Sequence, residues 1–104
     1  MVAWYTTENV AGKQISKHIG VATGSTIRAR NIGRDIVAGL RTLVGGEVPE
    51  YTEMMAHARN QAIERMLQKA DDMGADAVVG VRFSTAMIMQ GTAEVMAFGT
   101  AVKF

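Results

Sequence analysis

Cysteine is absent from this 104-residue chain, which also has only two histidines and one proline. The lack of cysteine excludes disulfides, thiolate metal sites, iron–sulfur clusters and thiol nucleophiles, and it fits a reducing compartment. The longest stretch without a charged residue, 83–93, is far shorter than the ~18 residues needed to span a bilayer. No basic start precedes an apolar stretch, because the first basic residue is Lys13. We therefore expect a soluble, cytoplasmic protein without a membrane partner.

Signatures of the common enzyme classes are also lacking. The sequence contains no GxGxxG, GxxxxGK[ST], HExxH or GxSxG motif, and so gives no sign of a dinucleotide, P-loop, zinc-protease or serine-hydrolase site. We predict no catalytic residues. An enzyme whose site is assembled between subunits is the weakest of the functional alternatives.

The charge is nearly balanced, with a net of +1. Residues 1–44 carry six basic and two acidic side chains, a net of +4, whereas residues 45–104 carry five basic and eight acidic, a net of −3. Few aromatic residues lie among the basic ones, so we predict no nucleic-acid partner. Head-to-tail contact between the basic edge of one copy and the acidic edge of the next accounts for the uneven charge distribution, and contacts of this kind can close a ring.

The apolar fraction of 48% and the length indicate one packed domain over residues 1–104. Every second position over 15–27 is β-branched except Lys17 and Ser25, and this period of two predicts a strand. A short strand at 4–7 precedes it, and Gly12-Lys13 is typical of the turn between them.

Two helices are predicted next. The first begins with Asn31 as its N-cap, has apolar residues at three- and four-residue spacing to Val44, and ends at Gly45-Gly46. The second runs over 50–73 after Pro49 and ends at Gly74. Its predicted buried stripe consists of Met55, Ala58, Ala62, Met66 and Ala70.

Two β-rich runs, 76–89 and 93–104, are joined by Gln90-Gly91-Thr92, which predicts a hairpin. Both faces of the last strand are largely apolar, so we expect one face to meet the helices and the other a neighbouring subunit. The predicted fold is α+β: an antiparallel sheet in the order strand-helix-helix-strand-strand with helices packed on one face. Self-association would cover the remaining apolar surface.

The spacing of several groups of residues resembles the YbjQ-like family of small bacterial and archaeal proteins. The groups are Gly20-Val21-x-x-Gly24, Asn31-Ile32-x-Arg34-Asp35, Gly45-Gly46, Tyr51, Ala58-Arg59-x-x-Ala62, Gly74-Ala75-x-Ala77-Val78-Val79-Gly80-Val81 and Gly99-Thr100-Ala101-Val102. The resemblance implies a fold like that of the dodecin subunit, homopentameric assembly into a ring, and the family label "putative heavy-metal-binding". Members are otherwise functionally uncharacterised.

The best metal candidate is the pair Glu53 and His57, because an i, i+4 spacing places both side chains on one side of a helix. His18 could join them in an oligomer. Two ligands do not make a site, however, and a solvated helix face explains the pair more simply. Any cofactor is therefore unknown, with a divalent metal ion as the one candidate class.

The second candidate is the cluster of Asn31, Arg34 and Asp35, preceded by Arg28 and Arg30. Backbone N–H groups at a helix start favour anions, so a phosphate or other small anion could bind there. Alternatively, Asn31 caps the helix, Asp35 interacts with its positive end, and Arg34 pairs across a subunit contact.

Two functional hypotheses are favoured over the enzyme hypothesis. The first is a ring-forming binding module that holds a metal ion or small anionic ligand at its subunit interfaces. The second is a purely structural or interaction homo-oligomer without a ligand.

Overall fold

The computed structural model describes residues 2–29 and 49–104. These residues form strand β1 (Ala3–Trp4), strand β2 (Lys17–Ala29), helix α1 (Pro49–Asp72), strand β3 (Ala77–Met89) and strand β4 (Thr92–Lys103). The strands make one sheet in the order β1-β3-β4-β2, and α1 packs on one face of it. The described part of the chain is thus a small α+β fold with a mixed four-stranded sheet and one helix. The helix predicted over 31–44, with its cap and its Gly45-Gly46 end, lies outside the described residues.

The predicted antiparallel sheet is wrong at one edge. β2 and β3 both pair antiparallel with β4, but β1 runs parallel to β3, with Ala3 opposite Ala77. Backbone bonds continue this pairing beyond β1, from Tyr5 N–H to the Val78 carbonyl (2.9 Å) and from Gly80 N–H to the Thr7 carbonyl (2.9 Å). Parallel neighbours require a long connection, and here most of the chain separates them. The sheet is mixed because β1 pairs with β3 at one edge, and not with β2, which follows it in the chain and forms the opposite edge.

The strand predicted over 15–27 is β2, and its two faces differ in side-chain size. The register with β4 places Ala22, Gly24 and Thr26 opposite Gly99, Ala97 and Val95, all on the face that meets α1. The larger residues Val21 and Ile27 lie on the opposite face and are exposed. Small residues therefore line the helix side of β2, which lets α1 approach the strand closely.

Helix α1 confirms the predicted amphipathic segment and its stripe. Ala58, Ala62, Met66 and Ala70 are fully buried, and they form the main core with Ala22, Val78, Val81, Val95, Ala97 and Ala101. The helix ends where Gly74 adopts a positive φ of 82°. Gly74 N–H donates to the Asp71 carbonyl (3.0 Å) and Ala75 N–H to the Ala70 carbonyl (3.0 Å), the two bonds of a Schellman motif. The glycine supplies a backbone conformation that other residues adopt only with strain.

A second, smaller core lies on the sheet face away from α1. It consists of Val10, Ala77, Val79 and Val102, with Tyr5, Ile15 and Phe104 packed against it. The segment between β1 and β2 covers this end of the sheet, and the predicted turn within it is confirmed by Gly12, whose φ is 77°. The chain itself therefore covers the second face of β4 near Val102, where the sequence predicted a neighbouring subunit.

The hairpin of β3 and β4 is confirmed, with Gly91 at its turn in the left-handed conformation (φ 82°). In the distal half of the hairpin, β4 also pairs with β2, whereas β3 pairs with β4 alone among the described residues. Helix α1 packs mainly on β2 and β4 and barely contacts β3, and every residue of β3 from Arg82 to Met89 is exposed. The described chain is accordingly elongated, measuring 53 by 24 by 20 Å.

Candidate functional site

A polar pocket lies between β2 and α1, near the end of β2. Its volume is about 480 Å³, and its described lining residues are Ser25, Thr26, Ile27, Arg28, Gln61 and Arg65. Thr26 and Arg28 project toward α1 because they continue the helix-facing series of β2. Gln61 and Arg65 lie one helical turn apart, so both reach the same strand. Strand period and helix period thus bring four polar side chains together.

Gln61 is the centre of a hydrogen-bond network that joins the two elements. Its Oε1 atom accepts a bond from the Thr26 hydroxyl at 2.7 Å and another from Nη2 of Arg28 at 2.8 Å. Thr26 is 4% exposed and is the one buried polar residue among those described. Because Oε1 takes both bonds, the amide Nε2 group of Gln61 keeps its two N–H donors for other partners.

The two arginines of the pocket have no acidic counterpart in it. Arg65 donates from Nη1 to the backbone carbonyl of Ser25 at 2.6 Å, and Arg28 donates to Gln61. The Nε atom of Arg28 is buried without a hydrogen-bond partner. None of the described lining residues is acidic. Two fixed positive charges therefore share a cleft in which the hydrogen bonds between described residues all go to neutral acceptors.

The predicted anion cluster of Asn31, Arg34 and Asp35 lies outside the described residues, so its placement stays a prediction. Arg28 was predicted beside that cluster, whereas Thr26, Gln61 and Arg65 were not predicted as site residues. A signal for them did exist, because Gln61 and Arg65 are spaced by four on a helix and Thr26 and Arg28 by two on a strand. Nothing in the sequence joins the two pairs, whose hydrogen-bonded members are 33 and 35 positions apart.

The predicted metal pair, Glu53 and His57, is exposed on α1, as is His18 at the start of β2. Across residues 2–29 and 49–104, no three His, Asp or Glu side chains come together in a way that could hold a metal ion. A second cleft of about 310 Å³ has two carboxylates and no basic group among its described lining residues, which are Val2, Glu64, Leu67, Gln68 and Asp71. The described residues of one copy therefore do not supply the donor set of a heavy-metal site.

Comparison with known proteins identifies the family of this chain. A model of the YbjQ-like family, described as "putative heavy-metal-binding", matches residues 2–104. The chain belongs to this family. A UPF0145 protein from Methanosarcina acetivorans is 57% identical over 98 residues, which cover 94% of this chain and 92% of the relative. Another from Psychromonas ingrahamii is 56% identical, covering 94% and 93%. The family thus includes archaeal and bacterial proteins that carry an uncharacterised-family name.

A solved structure supports the fold of this YbjQ-like chain. The crystal structure of a protein of unknown function from Pediococcus pentosaceus, of the DUF74 family, superposes with a TM-score of 0.70. The match covers 99% of this chain and 97% of the other at 18% sequence identity, so it bears on the fold alone. In the part of the chain that the structure describes, no helix is long and apolar enough to cross a membrane.

Proposed function

We propose that this YbjQ-like chain is the subunit of a self-assembling binding module, in which copies close into a ring. The observation that carries the proposal is the exposed apolar half of β3. Phe83, Met87, Ile88 and Met89 are each 42% to 75% exposed in the isolated chain. A soluble monomer rarely leaves so many large apolar side chains together in water, and their burial against a second copy stabilises the assembly.

The strand edges support the same proposal. β1 is short, so the outer edge of β3 over 82–89 pairs with no strand among the described residues, and β2 forms the opposite edge of the sheet. Free edges of this kind are templates for pairing with another chain. Because the two edges differ, contact between them is head-to-tail, and a head-to-tail contact closes into a ring when the rotation allows it. The family resemblance implies a ring of five.

A divalent metal held between copies is the second candidate function. It rests on the exposure of Glu53 and His57, one helical turn apart, which leaves both side chains open to a neighbour. Each copy would supply two donors, and at least two copies would complete the coordination sphere. A homo-oligomer that holds no ligand is the remaining alternative, and elemental analysis of protein purified without a metal-affinity step separates the two.

Sedimentation velocity at micromolar concentration tests the assembly. We expect one closed species heavier than a monomer, with five subunits as the expected number, and we expect Met87→Lys to shift it toward monomers. Asn60→Lys is the matched control, because Asn60 is exposed on α1 and receives the same charge. A stable wild-type monomer, or equal dissociation of the control, would contradict the proposal.

A further inference from the structure

We propose that the pocket between β2 and α1 binds a small phosphate-bearing anion. One copy supplies the four side chains on which the proposal rests, namely Thr26, Arg28, Gln61 and Arg65. The inference therefore goes beyond the proposed assembly and does not depend on it. Its residues are also not those of the anion cluster that the sequence predicted at residues 31–35.

Charge is the first argument. Arg28 and Arg65 place two permanent positive charges in a cleft in which no described lining residue carries a compensating carboxylate. A dianion near neutral pH balances the charge of the pocket, and a phosphate monoester has that charge.

Unused donors are the second argument. Arg28 is half-buried, and its Nε–H lacks a hydrogen-bond partner although it is removed from water. Leaving a donor of a charged group unpaired is costly, so a modest rotation of the guanidinium toward an acceptor in the pocket would be favourable. Gln61 offers a second donor group, since its Oε1 is already occupied by Thr26 and Arg28. The pocket therefore has several N–H donors and needs acceptors.

Geometry distinguishes the class of anion. A guanidinium presents a planar fork that matches the oxygens of phosphate or carboxylate, and two forks can engage three phosphate oxygens better than the two of one carboxylate. The pocket volume of about 480 Å³ is many times the ~30 Å³ share of one water molecule. The space accommodates a phosphate group together with part of the small molecule that carries it.

Isothermal titration at low ionic strength and pH 7.5 tests the proposal, with inorganic phosphate, glycerol phosphate and acetate as the probes. We expect both phosphate probes to bind the wild-type protein, and acetate to bind more weakly by about tenfold or more. Preference for inorganic phosphate over glycerol phosphate, or the reverse, identifies free phosphate or a phosphorylated metabolite as the source. No phosphate binding at millimolar concentration, or acetate binding as tight as phosphate, would overturn the proposal.

The variants Arg28→Gln and Arg65→Gln each remove one guanidinium, and we expect each to weaken phosphate binding about tenfold or more. Arg59→Gln is the control: Arg59 is exposed on α1, outside the pocket, and its loss changes the net charge equally. A similar loss of affinity in the control would show that the effect depends on overall charge alone, and it would overturn the proposed site.

Arg65 also bonds β2 through the Ser25 carbonyl, so its removal could impair folding. Arg65→Lys and Arg28→Lys keep the charge and a donor but lose the planar fork, and we expect folded proteins with intermediate affinity. Wild-type affinity in both lysine variants would contradict recognition by the planar guanidinium fork.

Sedimentation of the same samples separates the pocket proposal from the assembly proposal. A ring that binds no phosphate overturns the pocket alone, and a monomer that binds phosphate overturns the assembly alone.

Discussion

Gly24 of β2 lies directly against the backbone of α1 at Met66. A Cβ atom built on Gly24 would overlap the Met66 nitrogen and the Ala62 carbonyl oxygen, and it would lie 2.7 Å from the Arg65 carbonyl carbon. These are backbone atoms of a hydrogen-bonded helix, which cannot rotate away as a flexible side chain can. The short distance between α1 and β2 at this point therefore requires a residue without a side chain at position 24.

Gly24→Ala should destabilise the protein strongly, because the helix must move away from β2 to accept one methyl group. Overpacking of a tight core costs typically 1–3 kcal/mol, and we expect about 3 kcal/mol here since three backbone atoms oppose the new group. Chemical denaturation at fixed protein concentration measures the loss in the free energy of unfolding. Gly20→Ala is the control, because its Cβ would meet only the terminal methyl of Met73 at 3.3 Å. Equal losses in the two variants would show that the close contact is not the cause.

Thr26→Val should lower the free energy of unfolding by about 1 kcal/mol, because it removes the buried hydroxyl that bonds Gln61 while keeping the shape of the side chain. Urea denaturation measures the change. Thr23→Val on the exposed face of the same strand should change stability by less than about 0.5 kcal/mol. An unchanged stability of Thr26→Val would mean that the hydroxyl does not hold Gln61 in place.

His18→Ala and His57→Ala should leave stability and assembly nearly unchanged, because both imidazoles are exposed and exposed substitutions usually alter stability by less than about 0.5 kcal/mol. Thermal melting and sedimentation check the two properties, and elemental analysis of the same preparations checks metal content. Stoichiometric zinc or copper in the wild type that both variants lose would contradict this prediction and favour the metal-binding alternative.

Local periodicity was sufficient to predict the longer elements. The segments predicted over 15–27 and 50–73 correspond to β2 (Lys17–Ala29) and α1 (Pro49–Asp72), and the hairpin lies where the turn residues placed it. Each of these elements repeats its pattern many times, so small local deviations do not hide the period. Ala62, a small residue of the predicted stripe, lies where α1 meets the backbone of β2 at Gly24.

The features that the sequence did not predict depend on contacts between distant residues. A short strand was predicted at 4–7 and overlaps β1 (Ala3–Trp4), but its parallel pairing with β3 from Ala77 was not predicted. The pocket likewise joins Thr26 and Arg28 to Gln61 and Arg65 across the helix–sheet interface. Periodicity states which face of an element a residue occupies, but it does not state which other element meets that face.

The parallel pairing of β1 with β3 bears on the order of folding. The β3–β4 hairpin joins neighbouring segments, so its loop is short and closes within microseconds, whereas Ala3 must find Ala77 across most of the chain. We expect the hairpin to form first, β2 and α1 to add to it together because Ala22 and Ala62 share one core, and the N-terminal segment to arrive last. The second core around Val10 and Val102 would then form in the final step, and substitutions there would mainly accelerate unfolding and leave the folding rate nearly unchanged.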